Sequence, residues 1–215
     1  MRQFAVIGLG RFGASVAVSL AKMGYDVLAV DTDEHLVEAI VDKVTHAVQA
    51  DALDEESLKA LGIRNFDVVI VAIGHDMQAS ILTTVMLKEM GVETVVAKAR
   101  TELHGRVLAK VGADKVVFPE RDMGARLARG LVSKNILDQI ELSPDFSLLE
   151  LVAPEEFVGQ SLAESAFRRK YGVNILAIRR GPEVLISPGA KEIINEGDLL
   201  VAIGRNDRLQ RLGGD

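Results

Sequence analysis

The sequence has 215 residues, 48% of them hydrophobic and 26% charged, with a formal net charge of −6 and no cysteine. That length holds one full domain and a smaller one. The missing cysteines exclude disulfides, zinc–thiolate centres and cysteine nucleophiles and fit a reducing cytoplasm. The negative balance argues against a nucleic-acid binder, which normally carries a basic patch. The chain enters a strand–helix pattern at once, without a basic-then-apolar signal segment. No run approaches the roughly 18 to 20 apolar residues of a membrane span, so a membrane role is expected only through a partner.

Taken in chain order, Phe4 to Ile7, Val27 to Val30, Ala47 to Gln49, Val68 to Ala72, Thr94 to Ala97 and Lys115 to Phe118 read as short strands. Apolar runs without alternation belong in a parallel sheet covered on both faces. Between them, helical spacing predicts helices over Ala14 to Met23, Glu34 to Val41, Glu55 to Leu61, Met77 to Met90 and Leu103 to Val111. Gly24, Gly62, Gly91 and Gly112 supply helix stops. Six such units predict an α/β fold, a Rossmann-like doubly wound sheet. Asp122 to about Ile136 reads as a further amphipathic helix, with Met123, Leu127 and Leu131 four apart. It either closes its own domain or serves as a dimerisation arm. Leu142–Asp145 reads as a boundary. Beyond it come strands at Ser147 to Val152, Val173 to Arg179, Val184 to Ile186 and Leu199 to Ile203, and a helix near Ser161 to Tyr171. The expected organisation is therefore a nucleotide-binding domain over 1–142 and a small α+β domain over 146–215.

The stretch Gly8-Leu-Gly-Arg-Phe-Gly13 follows the first strand and opens the first helix, which is the context of a dinucleotide-type phosphate loop. In that reading Gly8 permits the turn, Gly10 lets the backbone approach a phosphate, and Gly13 lets the helix pack on its strand; the helix start favours an anion. Asp31 ends the second strand 18 positions beyond Gly13, where a carboxylate can hold ribose hydroxyls and repel a 2′-phosphate. Arg11 is the departure, either a solvated surface arginine or a fork of donors for extra phosphate charge. Asp51, Ala52, Ala72, Ile73, Gly74, Lys98, Arg100 and Glu120 follow later strands and converge on the same crevice. Ala72 and Gly74 leave room for an adenine ring. Asp51 either accepts from the adenine amino group or caps the following helix. Glu120 is a loop acid, a helix cap or a cation ligand.

Catalytic machinery is not evident. Histidines 35, 46, 75 and 104 have no metal-binding spacing and read as scattered surface residues, and no GxSxG elbow is present. The region after 146 has no histidine and one tyrosine, Tyr171, which reads as packing at a helix end. The pattern points to sensing rather than enzymatic catalysis.

The stretches "FAVIGLGRFG", "VLAVDTD", "THAVQAD", "LGIRNFDVVIVAIG", "QASILTTVMLKEMGV", "KVGADKVVFPERDMGARLA" and "KYGVNILAIRRG" together resemble the cytosolic regulatory subunits of Ktr-type potassium transporters, the RCK or TrkA-like family, over essentially the whole chain. The resemblance implies dimers assembled into an octameric gating ring in the cytoplasm, docked on the inner face of the membrane through a potassium-translocating partner subunit. It implies that ATP and ADP compete for the N-terminal site, with ATP favouring the conducting state. Gly8, Gly10, Arg11, Phe12 and Gly13 would form the phosphate loop, with Arg11 reaching the γ-phosphate in the adjoining subunit. Asp31 would hold the ribose, and Asp51, Ala52, Ala72, Ile73, Gly74 and Lys98 would line the pocket. Glu120 would help place Mg2+ or another cation near the phosphates. Arg168, Asn174, Ile175, Ala177 and Pro188 would contact inhibitory cyclic di-AMP, although "VNILAI" also reads as an ordinary buried strand. The alternatives are an NAD(H)-binding oxidoreductase, an NAD(H)-responsive regulator, and an interaction module of a different transporter.

Overall fold

Strand β1 (Gln3–Ile7) buries both of its faces: Ala5 and Ile7 belong to one apolar cluster, and Val6 belongs to another. A strand without a solvent face must lie inside a sheet covered by helices on both sides. The computed structural model, which describes residues 2–132 and 136–212, shows that arrangement. After β1 come α1 (Arg11–Lys22), β2 (Asp26–Asp31), α2 (Glu34–Glu38), β3 (His46–Gln49), α3 (Glu55–Ala60), β4 (Val68–Val71), α4 (Met77–Glu89), β5 (Thr94–Lys98), α5 (Glu102–Lys110) and β6 (Lys115–Val117). The strands are parallel, in the order β3-β2-β1-β4-β5-β6. The order reverses between β1 and β4, and the crevice at such a switch point is where open α/β sheets bind ligands. Leu58 of α3, Leu87 of α4 and Leu108 of α5 pack with one cluster, while Ala17 of α1 and Val37 of α2 pack with the other. Each fully buried leucine contributes about 1.5–3 kcal/mol.

The turn from β1 into α1 is set by two glycines. Gly8 has φ +94 and donates its N–H to the Val30 carbonyl at 2.8 Å. A Cβ at Gly13 would lie 1.8 Å from the Gly8 carbonyl oxygen, so only glycine lets α1 sit this close to β1.

The chain divides into two compact units, Met1–Arg121 and Asp122–Asp215. Helix α6 (Pro119–Val132) starts with proline at the first helical position, where its missing N–H has no intrahelical partner to lose. Residues 133–135 of the helix expected to reach about Ile136 lie outside the described residues, as do 213–215 of the expected C-terminal domain, and Ile136 itself opens a strand instead of ending the helix. The second unit holds an antiparallel sheet in the order β10-β9-β11-β8-β7. Its elements are β7 (Ile136–Ser143), β8 (Phe146–Val152), α7 (Leu162–Ser165), α8 (Phe167–Lys170), β9 (Asn174–Arg180), β10 (Glu183–Ile186), β11 (Leu199–Arg205) and α9 (Asn206–Leu209).

Two expectations need correction here. Strand β7 was not foreseen; its burial is mixed and its register shifts twice against β8, so it carries no clean period of two. The single helix expected from Ser161 to Tyr171 is two short helices, because Ala166 adopts φ +50 between them. Leu149, Leu151, Ile178 and Leu200 form the core of this unit with Phe157 and Phe167.

Asp198, 1% exposed, is tied on both carboxylate oxygens to Arg180, at 2.9 and 2.8 Å, and accepts from the Asn195 N–H at 2.8 Å. The Arg180 guanidinium holds the Asp198 carboxyl below the usual carboxylate range. A depressed folded-state pKa stabilises the fold fully above about pH 4 and loses that contribution as pH falls further. Asp198→Ala leaves Arg180 without its main partner and is expected to cost about 3 kcal/mol in urea unfolding at pH 7. The difference from wild type should narrow as pH falls below about 4. Gly13→Ala is expected to cost about 3 kcal/mol by the same assay. Gly10→Ala, where an added Cβ has no neighbour within 4 Å, should leave stability within about 1 kcal/mol.

Candidate functional site

The carboxyl ends of β1, β2, β3, β4 and β5 open onto one cavity of about 690 Å³. That lies within the range of about 300 to 1,000 Å³ of small-molecule sites. Gly8, Gly10, Arg11, Phe12, Asp31, Asp51, Ala52, Ala72, Ile73, Gly74, Lys98 and Glu120 all line it. Gly13 does not line it; its place is the contact between α1 and the Gly8 carbonyl. Thr32, Asp33, Leu36, Leu53, Asp76 and Arg100 are further lining residues. Of these, sequence reasoning had placed only Arg100 near the crevice. Thr32, Asp33, Leu53 and Asp76 sit one or two residues past positions it did name, and Leu36 comes from α2, five residues past Asp31.

Three helix starts meet the cavity with different endings. Asp33 caps α2 by accepting from the His35 N–H, and Asp76 caps α4 by accepting from the Ala79 N–H. Helix α1 begins at Gly10 with no side-chain cap. Its first amides and the positive end of its dipole lie at the cavity, where among the described residues no side chain caps them, which favours an anion.

The acidic groups are each tied down. Asp31 accepts from the Leu9 and Asp33 amides, so it braces the glycine turn as well as standing at the end of β2. Asp51 accepts from the Leu53 N–H at 2.8 Å. It does not cap α3; that cap is Asp54, which accepts from Glu56 N–H and the Ser57 hydroxyl. Glu120 accepts at Oε1 from Lys98 Nζ at 2.7 Å, and the Lys98 ammonium holds its carboxyl below the ordinary range. Lys98 Nζ also stands 5.6 Å from the centre of the Phe12 ring. Arg100 donates to the Gly74 carbonyl at 3.2 Å. Arg11 is exposed and, among the described residues, forms no ion pair. No cluster of three or more His, Asp or Glu side chains among the described residues could hold a metal ion.

His104 is not on the surface as expected. It is 1% exposed, and its Nδ1 accepts from the Arg100 N–H at 3.4 Å, while Nε2 has no partner among the described residues. Burial, reinforced by the Arg100 charge, pushes its pKa down. Its spacing on α5 with Leu108, four residues on, was the available signal for a core position.

In the second unit a cavity of about 400 Å³ is lined by Leu162, Ala166, Arg168, Arg169, Asn174 and Ile175 together with neighbouring apolar atoms. Of the expected effector residues it brings together Arg168, Asn174 and Ile175, and leaves Ala177 and Pro188 outside its lining. Among the described residues, the two non-glycine residues with positive φ are Ala166, in this lining, and Ser187, next to Pro188. Tyr171 packs with the Phe157 and Phe167 rings, as expected of a structural residue.

No helix among the described residues is long and apolar enough to cross a membrane. The TrkA-N domain family matches residues 4–119 and the TrkA-C domain family residues 147–213. The chain is 52% identical over 203 residues to Ktr system potassium uptake protein C of Bacillus subtilis, covering 94% of this chain and 92% of that one. It is 46% identical over 210 residues to Ktr system potassium uptake protein A of the same organism, covering 98% and 95%. The RCK domain of GsuK shares the fold over all of this chain and 48% of that one, with a TM-score of 0.69 at 19% identity. Glycine turn, β2 carboxylate, six-stranded parallel sheet and appended antiparallel unit thus coincide with both domain matches, and the chain belongs to the TrkA family, in the group of the Ktr system potassium uptake proteins.

Proposed function

We propose that this chain is a cytosolic regulatory subunit of a Ktr-type potassium transporter. In this reading it senses ATP and ADP in the first cavity and acts on a membrane potassium-translocating partner as part of a homo-oligomeric, octameric ring. The observation that carries the reading is the meeting of an uncapped helix start, Lys98, exposed Arg11 and the Asp31 carboxylate around one cavity. The family membership supplies the transport context.

Phosphates belong at the start of α1, where main-chain donors, Arg11 and Lys98 supply the positive field. The ribose belongs at Asp31, whose oxygens keep lone pairs beyond the two amide bonds. The apolar and small residues Leu36, Ala52, Ala72 and Ala79 suit the base. ATP differs from ADP by the γ-phosphate, and a charge-assisted contact from Arg11, in the same or an adjoining subunit, is worth roughly 1.5 to 3 kcal/mol. A ligand shifts a conformational equilibrium only by its differential affinity, and a tenfold shift needs about 1.4 kcal/mol, so one such contact suffices for gating. Glu120 alone offers too few donors for a cation, so Mg2+ beside it would depend on phosphate oxygens.

Cyclic di-AMP is the effector proposed for the second cavity. Arg168 and Arg169 offer donors to phosphate, and Asn174 and Ile175 offer polar and apolar contacts. A regulatory rather than catalytic role fits a second unit without histidine, whose Tyr171 is committed to packing. Asp31 supports a second reading, in which NAD(H) is the ligand of the first cavity.

A thermal-shift panel separates these readings. A ligand of the folded state adds about 2.7 kcal/mol at 100 Kd, so ATP and ADP should each raise Tm and compete with one another. A dominant NADH shift that ATP does not compete away would overturn the assignment. Arg11→Ala is expected to make ATP and ADP equal in their effect on ring shape by small-angle scattering; retained discrimination would remove Arg11 from the mechanism. Arg168→Ala should lose the cyclic di-AMP shift by tenfold or more in affinity and keep the ATP shift, about 1.4 kcal/mol being one decade.

A further inference from the structure

Helix α5 is closed at its start by two bonds that run in opposite directions. Thr101, the residue before the helix, accepts the His104 N–H on its hydroxyl at 3.1 Å. The His104 ring returns a bond, its Nδ1 accepting the Arg100 N–H at 3.4 Å. This is the reciprocal pattern of a capping box, with the returning bond taken one residue further back than usual. An accepting Nδ1 leaves the proton of the neutral ring on Nε2, which is buried without a partner among the described residues. Burial keeps the ring neutral, so the Nδ1 lone pair is available. A buried donor without a partner opposes folding, and the Thr101 hydroxyl would cap α5 without it. What the ring adds to the cap is its hold on Arg100.

Arg100 leaves β5 two positions after Lys98, and its side chain lines the first cavity. The guanidinium gives one N–H to the Gly74 carbonyl at 3.2 Å. Gly74 marks the end of the cavity where α1 begins. A Cβ there would stand 3.5 Å from Lys98 Nζ, and the same Nζ lies 5.6 Å from the Phe12 ring in the first turn of α1. A guanidinium carries five N–H donors, so donors remain for an anion beside the α1 amides. Arg100 is exposed, so burial does not orient its side chain. Its direction is set by the Gly74 bond and by the main chain from which it springs.

We propose that His104 is a positioning residue of the nucleotide site. Its ring fixes the Arg100 main chain and thereby aims the Arg100 guanidinium at phosphates lying on the start of α1. This deepens the nucleotide reading above and rests on it. His104 itself lies outside the cavity lining, so it acts through Arg100 and touches no ligand. A carboxylate in its place could accept the same N–H only by burying a charge, whereas a neutral imidazole offers one acceptor without that cost.

The test is a double-mutant cycle on the full chain, read as ADP affinity by calorimetry. Arg100→Ala is expected to weaken ADP by tenfold or more, because it removes the guanidinium and keeps the amide that His104 holds. His104→Leu should weaken ADP to a similar degree, and the double variant should be no weaker than Arg100→Ala alone. His104→Asn, which carries Oδ1 where the ring carries Nδ1, should bind ADP within about threefold of wild type. If His104→Leu does not fold, His104→Phe supplies a ring without an acceptor. The inference is overturned if Arg100→Ala or the acceptor-free variant binds ADP like wild type. It is equally overturned if the two losses add, or if His104→Asn is as weak as the acceptor-free variant, since His104 would then serve packing alone. In each of these cases ADP still binds wild type, and the nucleotide reading stands. If wild type binds neither ATP nor ADP, that reading and this one fall together.

Discussion

Gly13 is where α1 touches the strand that precedes it, and a methyl group there would lie 1.8 Å from the Gly8 carbonyl oxygen. The direction of α1 depends on that contact. With the helix pressed this close, its first turn reaches over the carboxyl end of β1, and its uncapped amides look into the cavity instead of out to solvent. Gly8 at φ +94 makes the reversal that brings the chain there, and Asp31 ties the far side of the turn by accepting from Leu9. The carboxylate that braces the loop also lines the cavity. The double role explains why the loop can be rich in glycine without losing its shape.

The charges around the cavity follow a division of labour set by local backbone geometry. Asp33, Asp51 and Asp76 each accept from an amide two or three residues ahead, the short-range bond that short acidic side chains make at turns and helix starts. These bonds hold the rim in place and leave little freedom for change on binding. Lys98 and Glu120 come from β5 and α6, far apart in sequence, and meet only because β5 and β6 are neighbours in the sheet. A bond between two long side chains can be exchanged for another at small backbone cost, unlike the short-range bonds of the aspartates. The start of α6 is held by other means as well. Phe118 lies against Gly105, where a Cβ would come within 2.3 Å of the ring, and Arg121 covers its face at 3.9 Å while pairing with Glu102.

The second unit uses a different stabilising logic. A buried aspartate, Asp198, joins β11 to β9 through Arg180, and Ser147 links Gln139 to Asn206 across the start of β8. Leaving either buried polar group unpaired would cost more than its bonds contribute, so these ties select one packing of a small core. The backbone strain sits elsewhere, at Ala166 and Ser187. Non-glycine residues persist in the left-handed region only where surrounding structure holds them, and Ala166 breaks a helix within a cavity lining that includes Arg168 and Asn174.

The parallel sheet, the order of its elements, the glycine turn and most of the cavity lining were legible in the sequence. They rest on local signals: apolar runs of strand length, helix stops, and small residues at strand ends. What fails in such reading is whatever depends on a partner distant in the chain. Strand β7 exists because β8 offers it a ladder, and its mixed burial carries no period of its own. Asp51 and Asp54 are both plausible caps by type, and backbone dihedrals decide for Asp54. His104 is polar by type but buried by the packing of α5. Glu120 reads as a loop acid until the sheet sets β5 against β6 and brings Lys98 within 2.7 Å. The sequence alone determined the elements of the parallel sheet and the glycine turn that opens α1, because those follow from propensity and local backbone geometry. Only the tertiary structure decided which acids accept from main-chain amides and which one pairs with a lysine, because charge pairing depends on distances that no local pattern encodes.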